Sequence, residues 1–202
     1  MLHKSVKRHR KQNEDGGVTQ QQDRESAEAE ARYAAETGDP YVKLLAEGTR
    51  YLFQEDCRRA ARAYREAIAL KPDQPIAYIN LGAALNNSGH HVEAAQRYLE
   101  ARELDLVGSE GWARATARAF NNLTQEECAK VAKPEWWNDK GLKSLAARVV
   151  RAAPDDLFAN EMRAMVLGGL CGACEAVPRS AAELKEAATH FERAAALCPA
   201  PE

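Results

Sequence analysis

Residues 41–74 read YVKLLAEGTRYLFQEDCRRAARAYREAIALKPDQ, and residues 75–108 read PIAYINLGAALNNSGHHVEAAQRYLEARELDLVG. Laid over one another without a gap, the two stretches match at a fixed offset of 34 residues. Gly48 falls on Gly82, Ala60 on Ala94, Tyr64 on Tyr98 and Ala67 on Ala101, while Leu44 falls on Tyr78 and Tyr51 on Leu85. A fixed period of this length is the sequence signature of a repeat architecture. Apolar residues inside each stretch recur at three- and four-residue spacing, which predicts two helices per unit. In the first unit these run over 41–54 and 57–70, with Pro72 closing it. In the second, Asn86-Asn87-Ser88-Gly89 supplies the turn between helices.

The repeated positions have a packing logic. Gly48 and Gly82 carry no Cβ, so a facing helix can approach closely, and Ala60, Ala67, Ala94 and Ala101 allow the same from the second helix. Tyr64 and Tyr98 are expected to fill the gap toward the next unit, each contributing a few kcal/mol when buried. Pro72 cannot continue a helix and disfavours helix at the residue before it.

These residues resemble the tetratricopeptide (TPR) repeat, whose pattern is W-x2-L-G-x2-Y followed by A-x3-F/Y-x2-A-x4-P. The second unit carries Tyr78, Leu81, Gly82, Leu85, Ala94, Tyr98 and Ala101. The first carries Leu44, Gly48, Tyr51, Ala60, Tyr64, Ala67 and Pro72. Two departures stand out: Glu47 replaces the usual Leu, and Leu106 stands where the second unit's Pro would be. A third unit opens with Trp112 in the Trp slot, followed by Ala115 and Ala119, with Thr116 in place of the Gly. Its second helix is expected to start at a capping box, Thr124 to Glu127, and to be cut short by Pro134. Beyond it the phase is lost. Helices are expected at 141–151, with Leu142, Ala146 and Val149 at second-helix spacing, and at 156–167. A third is expected at 180–197, opening on a second capping box, Ser180 to Glu183. The expected organisation is therefore all-α: a basic, Gln-rich tail over 1–22, a lead-in helix within 23–40, TPR-like units over 41–133, and degenerate units over 134–202 with a loop inserted at about 168–179. The resemblance implies a right-handed solenoid of three to four units.

Composition sets limits in the same direction. About a fifth of the 202 residues are alanine, the best helix former, while aromatic residues make up only 6%. The 28 Lys and Arg against 30 Asp and Glu leave a net charge of -2, which argues against a protein whose main work is wrapping nucleic acid. The basic cluster Lys7-Arg8-His9-Arg10-Lys11 is most simply a solvated start, with a nuclear-import or acidic-partner signal as the sharper reading. No apolar run is long enough to span a membrane, and none follows the basic start as a secretory signal would require. Five cysteines are odd in number and sparse, which suits a reducing compartment, cytoplasmic or nuclear.

What the resemblance implies about function is a concave surface lined by the first helix of each unit, where partner peptides lie. Those positions fall on Val42, Leu45, Thr49, Leu52 and Phe53, on Ile76, Ile79, Asn80, Ala83, Asn86 and Asn87, and on Glu110, Ala113, Ala117, Phe120 and Asn121. The expectation is an apolar groove with an asparagine edge, in which Leu45, Leu52, Phe53, Ile76, Ile79, Asn80 and Phe120 contact a protein or peptide partner. Its occupant could equally be the lead-in helix or a sister chain. Chaperone-binding members of the family grip a C-terminal carboxylate with basic and amide side chains. Those places read Leu45, Thr49, Asn80, Glu110 and Arg114 here, too few cations to offset desolvation of a carboxylate.

The remaining motifs are weak. Cys171-Gly172-Ala173-Cys174 lacks a second ligand pair for zinc and a βαβ context for redox work. His90-His91 reads as a solvent-facing turn. Arg58, Arg62 and Arg65 share a helix face that the family leaves wet. Adjacent Trp136 and Trp137 cannot both enter one core from a regular helix, so one is expected as an anchor and the other as a contact. There is no phosphate loop, nucleophile elbow or telling carboxylate pair. The expectation is a non-catalytic interaction scaffold with no cofactor or metal. The alternatives are a self-association module, using the groove or an open C-terminal face, and an RNA- or chromatin-associated adaptor using the basic tail.

Overall fold

The computed structural model describes residues 32, 36–172 and 178–198. The tail at 1–22 and most of the expected lead-in helix lie outside them; of that helix, Arg32, Glu36 and Thr37 are helical. Eight α-helices follow among the described residues, and no strand: α1 (Pro40–Phe53), α2 (Cys57–Leu70), α3 (Pro75–Asn87), α4 (His91–Leu104), α5 (Glu110–Leu123), α6 (Asp139–Ala152), α7 (Leu157–Gly168) and α8 (Ala181–Leu197).

Local chemistry sets the helix starts. Asp39 accepts a hydrogen bond from the Tyr41 amide at 2.9 Å, with Pro40 opening α1, where its missing N–H costs nothing. The other Asp39 oxygen meets Lys71 Nζ at 2.7 Å, tying the start of α1 to the end of α2. That contact, the largest influence, holds the Asp39 carboxyl below its ordinary pKa. Asp56, Ser109, Asn138 and Asp156 cap α2, α5, α6 and α7 by accepting from backbone amides of the first turn. Ser180 and Glu183 form a complete capping box at α8.

Units one and two pack through an exchange of size. A Cβ built on Gly48 would stand 2.5 Å from Tyr64 Cε1, and one on Gly82 would stand 2.9 Å from Tyr98 Cε1. Each ring therefore lies against the glycine of its own unit's first helix. Both rings also belong to a cluster with Ala61, Leu81, Ala84, Leu85 and Ala119, which continues into the following unit. The Tyr64 hydroxyl shares a 3.2 Å hydrogen bond with Thr49. Burial lifts the Tyr98 phenol to about pKa 12.

Unit three departs from expectation. The second helix that the Thr124–Glu127 motif predicts is absent; a single 3-10 turn, Glu126–Cys128, stands there. Thr124 instead closes α5 with helical backbone angles (φ -84°, ψ -8°), whereas an N-cap residue is extended, and its hydroxyl donates backwards to the Asn121 carbonyl at 2.7 Å. The segment 124–138 is an insertion, and α6 takes the second-helix place. Leu142, Ala146 and Val149, all fully buried, occupy the slots of Ala60, Tyr64 and Ala67. The size exchange is reversed here: buried Thr116 stands in the glycine slot and Ala146 in the tyrosine slot. Thr116 satisfies its hydroxyl by donating to the Trp112 carbonyl at 2.7 Å. Helices α7 and α8 form the last described pair, with α7 ending at Gly169 in the left-handed region (φ 70°).

Candidate partner-binding face

The first-helix residues expected in the groove divide into three groups. Phe53, at the end of α1, is 50% exposed, and Ile76, in the first turn of α3, is 45% exposed. Leu45, Leu52 and Ile79 are half-buried, packed against the cluster built on Tyr64, Leu81 and Tyr98. Asn80 and Asn86 are half-buried and Asn87 is exposed.

Phe120 is a correction. It is 1% exposed and lies in a core cluster with Trp112, Leu142, Leu145 and Met162. Its ring sits 5.3 Å from that of Trp137, tilted by 32°. The chain's own insertion therefore covers Phe120, and no partner can reach it without displacing an indole. Ala113 and Ala117, expected in the groove as well, are fully buried in the same cluster.

Both tryptophans of the pair serve this core. Trp136 and Trp137 are half-buried with ring centroids 5.7 Å apart. Arg102 stands 5.8 Å over both Trp112 and Trp136, and Lys133 stands 4.9 Å over Trp137. The Lys133 ammonium donates to the carbonyls of Leu123 and Cys128 at 2.6 and 2.8 Å, which pins the insertion to the end of α5. Burial lowers the pKa of Lys133 and raises that of the neighbouring Cys128 thiol.

The first helices of the third and fourth units, α5 and α7, carry a charged cluster that the residue pattern alone does not assemble. Glu110 pairs with Arg114 at 2.6 Å, Arg114 reaches Asp156 at 3.7 Å, and Arg118 reaches it at 3.3 Å. The Arg118 guanidinium also lies 5.0 Å over Phe158. Glu161 is desolvated, and with Asp156 nearby its pKa is raised. The available signal was the i, i+4 spacing of Arg114 and Arg118 together with Asp156 in the cap position after Pro154. The pairing across α5 and α7 itself needs the fold.

Other singled-out residues have local partners. Arg62 pairs with Glu66 at 3.0 Å and Arg65 faces Glu93 at 3.8 Å, with all four side chains more than half exposed. His90 bonds Ser88, and His91 bonds Asn122 at 3.3 Å. Cys171 is buried, and Cys174 lies outside the described residues. No group of His, Cys, Asp and Glu among the described residues could hold a metal ion, and none of their helices is long and apolar enough to cross a membrane.

Comparison with known proteins agrees with the repeat. Residues 48–89 match the family model of the TPR repeat. The fold superposes on the crystal structure of MamA with a TM-score of 0.52, at 15% sequence identity, covering 91% of this chain and 92% of that one. At that identity the likeness is one of fold. No curated protein matches the sequence. Over residues 48–89 the chain matches the TPR repeat, and its described residues fold as an all-α, TPR-like solenoid.

Proposed function

We propose that this solenoid is a non-catalytic scaffold that captures a protein partner on the first helices of units one and two. The observation that carries the reading is the pair Phe53 and Ile76, large apolar side chains about half exposed on the first helices of adjacent units. Half-buried Leu45, Leu52 and Ile79 of the same two helices add apolar surface, and Asn80 offers a donor and an acceptor for a peptide backbone. Such a surface suits an extended or helical segment with apolar anchors. The charged residues on α5 and α7 would then read polar groups further along the segment.

The test uses Phe53→Glu with Ile76→Glu. Both side chains are exposed enough for the fold to tolerate the change, whereas Ile79 packs against the core and would confound loss of binding with loss of structure. Partners captured by the wild type and absent from the double variant, with helicity and melting temperature unchanged, support the proposal. An identical set of captured partners contradicts it.

A further inference from the structure

We propose that the outward face of α8 binds a second copy of this chain, as a two-fold, antiparallel α8–α8 pair. Helix α8 stands in register with α2, Ala187, Phe191 and Ala194 taking the slots of Ala60, Tyr64 and Ala67. The same register sets Ala188, Phe191 and Ala195 on Ala61, Tyr64 and Ile68. In unit one those three residues pack into a cluster with Leu81, Ala84 and Leu85 of α3. On α8 their counterparts are exposed, Phe191 at 39%, and Leu184 continues the row at 49%. Positions 184, 188, 191 and 195 alternate four- and three-residue steps, the spacing of a helix–helix seam. Among the described residues no helix lies on it.

The chemistry at the other end of the array narrows the occupant. Lys43, Glu47 and Arg50 of α1 stand in the slots that Ala77, Leu81 and Ala84 fill on α3. All three are exposed, with Arg50 and Glu47 3.9 Å apart. Burying that charged row on the apolar row of α8 would desolvate Lys43, Glu47 and Arg50 against side chains that offer them no polar partner. Head-to-tail stacking of copies through α1 is therefore disfavoured, and the self-complementary arrangement left is α8 against itself about a two-fold axis. The flanks fit. Ala187 and Ala194 border the seam on the side turned to α7, and exposed Lys185 and Glu192 border it on the other. Neither takes part in an ion pair among the described residues. An antiparallel pair centred near Ala188 and Thr189 sets Lys185 of each copy opposite Glu192 of the other, twice over. A seam of four residues per copy on a helix about 25 Å long is small, so the dimer is weak, with a dissociation constant of roughly tens of micromolar. This inference is independent of the groove: Phe53→Glu with Ile76→Glu leaves the dimer intact.

Sedimentation equilibrium on the full chain, from about 5 to about 300 μM, is the test. The wild type is expected to dimerise, and Leu184→Glu with Phe191→Glu to stay monomeric with its melting temperature unchanged. Lys185→Glu and Glu192→Lys each weaken the dimer about two- to fivefold, and the combined variant recovers, because both ion pairs are then reversed rather than broken. A wild type monomeric throughout overturns the proposal. So does a dimer that survives Leu184→Glu with Phe191→Glu, or charge swaps without recovery. A clear fall in melting temperature in the Leu184→Glu, Phe191→Glu variant also overturns it, since the face would then be filled by the chain's own residues.

Discussion

Units one and two and unit three solve the same packing problem in opposite ways. In the first two, glycine on the first helix admits a tyrosine from the second, and the link between the helices is short. In unit three, threonine meets a slot filled by alanine, and the volume lost is made up elsewhere. The segment 124–138 folds back and supplies Trp136 and Trp137 to the core around Trp112 and Phe120. The regular units leave Phe53 and Ile76 of their first helices at the surface, whereas the irregular unit covers Phe120 with its own chain. A repeat pattern thus locates the helices, but whether a groove position is open depends on what the insertions do.

The largest test of this contrast sets Phe120 beside Phe53. Phe120→Ala should cost about 3–5 kcal/mol in denaturant unfolding, as for a buried aromatic in a packed core. Phe53→Ala, at a half-exposed site, should change stability by no more than about 0.5 kcal/mol. Similar costs at the two sites would erase the distinction drawn here.

The next test breaks the size exchange. Gly48→Ala places a methyl group inside contact distance of the Tyr64 ring and should destabilise by about 1–3 kcal/mol. Adding Tyr64→Ala should make the pair non-additive, because the second change removes the clash the first creates. Strict additivity of the two unfolding free energies would mean that the contact is not the cause.

The α7–α8 pair allows two smaller tests. Ser180→Ala removes the cap of α8 and should cost about 1 kcal/mol, read by thermal melting. Buried His190 on α8 bonds Asn160 Oδ1 at 2.8 Å through Nδ1, which must therefore carry the proton. Burial lowers its pKa from 6.5, reinforced by Arg193 and Arg163 and opposed by Glu186. The unfolded chain then binds the proton more readily than the folded one. Stability is full above pH 6.5 and falls as the pH drops through the lower folded value. His190→Gln should flatten that part of the melting-temperature profile; an unchanged slope would assign the pH response to other groups.

Much of the architecture was legible in the residues. The repeat pattern placed α1 and α2 within one residue of their observed bounds, because Pro40, Pro72 and Pro75 punctuate the chain locally; the Asn86–Gly89 turn marked the α3–α4 junction, with Asn86 and Asn87 closing α3 and the turn falling on Ser88 and Gly89. The spacing of Leu142, Ala146 and Val149 before Pro154 marked α6 as a second helix. The Thr124–Glu127 motif misled because a capping box is a local pattern, and the Thr124 backbone already belongs to the last turn of the preceding helix. Phe120 misled for a longer-range reason: its slot is a groove position only where no insertion folds over it. The Arg114–Arg118–Asp156 contacts join residues far apart in sequence, and only the stacking of α7 on α5 brings them together.

The most direct measurement of the central claim is affinity capture from a cell lysate with the full chain as bait, read by quantitative mass spectrometry beside Phe53→Glu, Ile76→Glu. Both proteins should give the same circular dichroism and melting temperature. The account predicts that a defined protein is enriched by the wild type and lost at least about tenfold by the double variant. Equal enrichment by both proteins would contradict it.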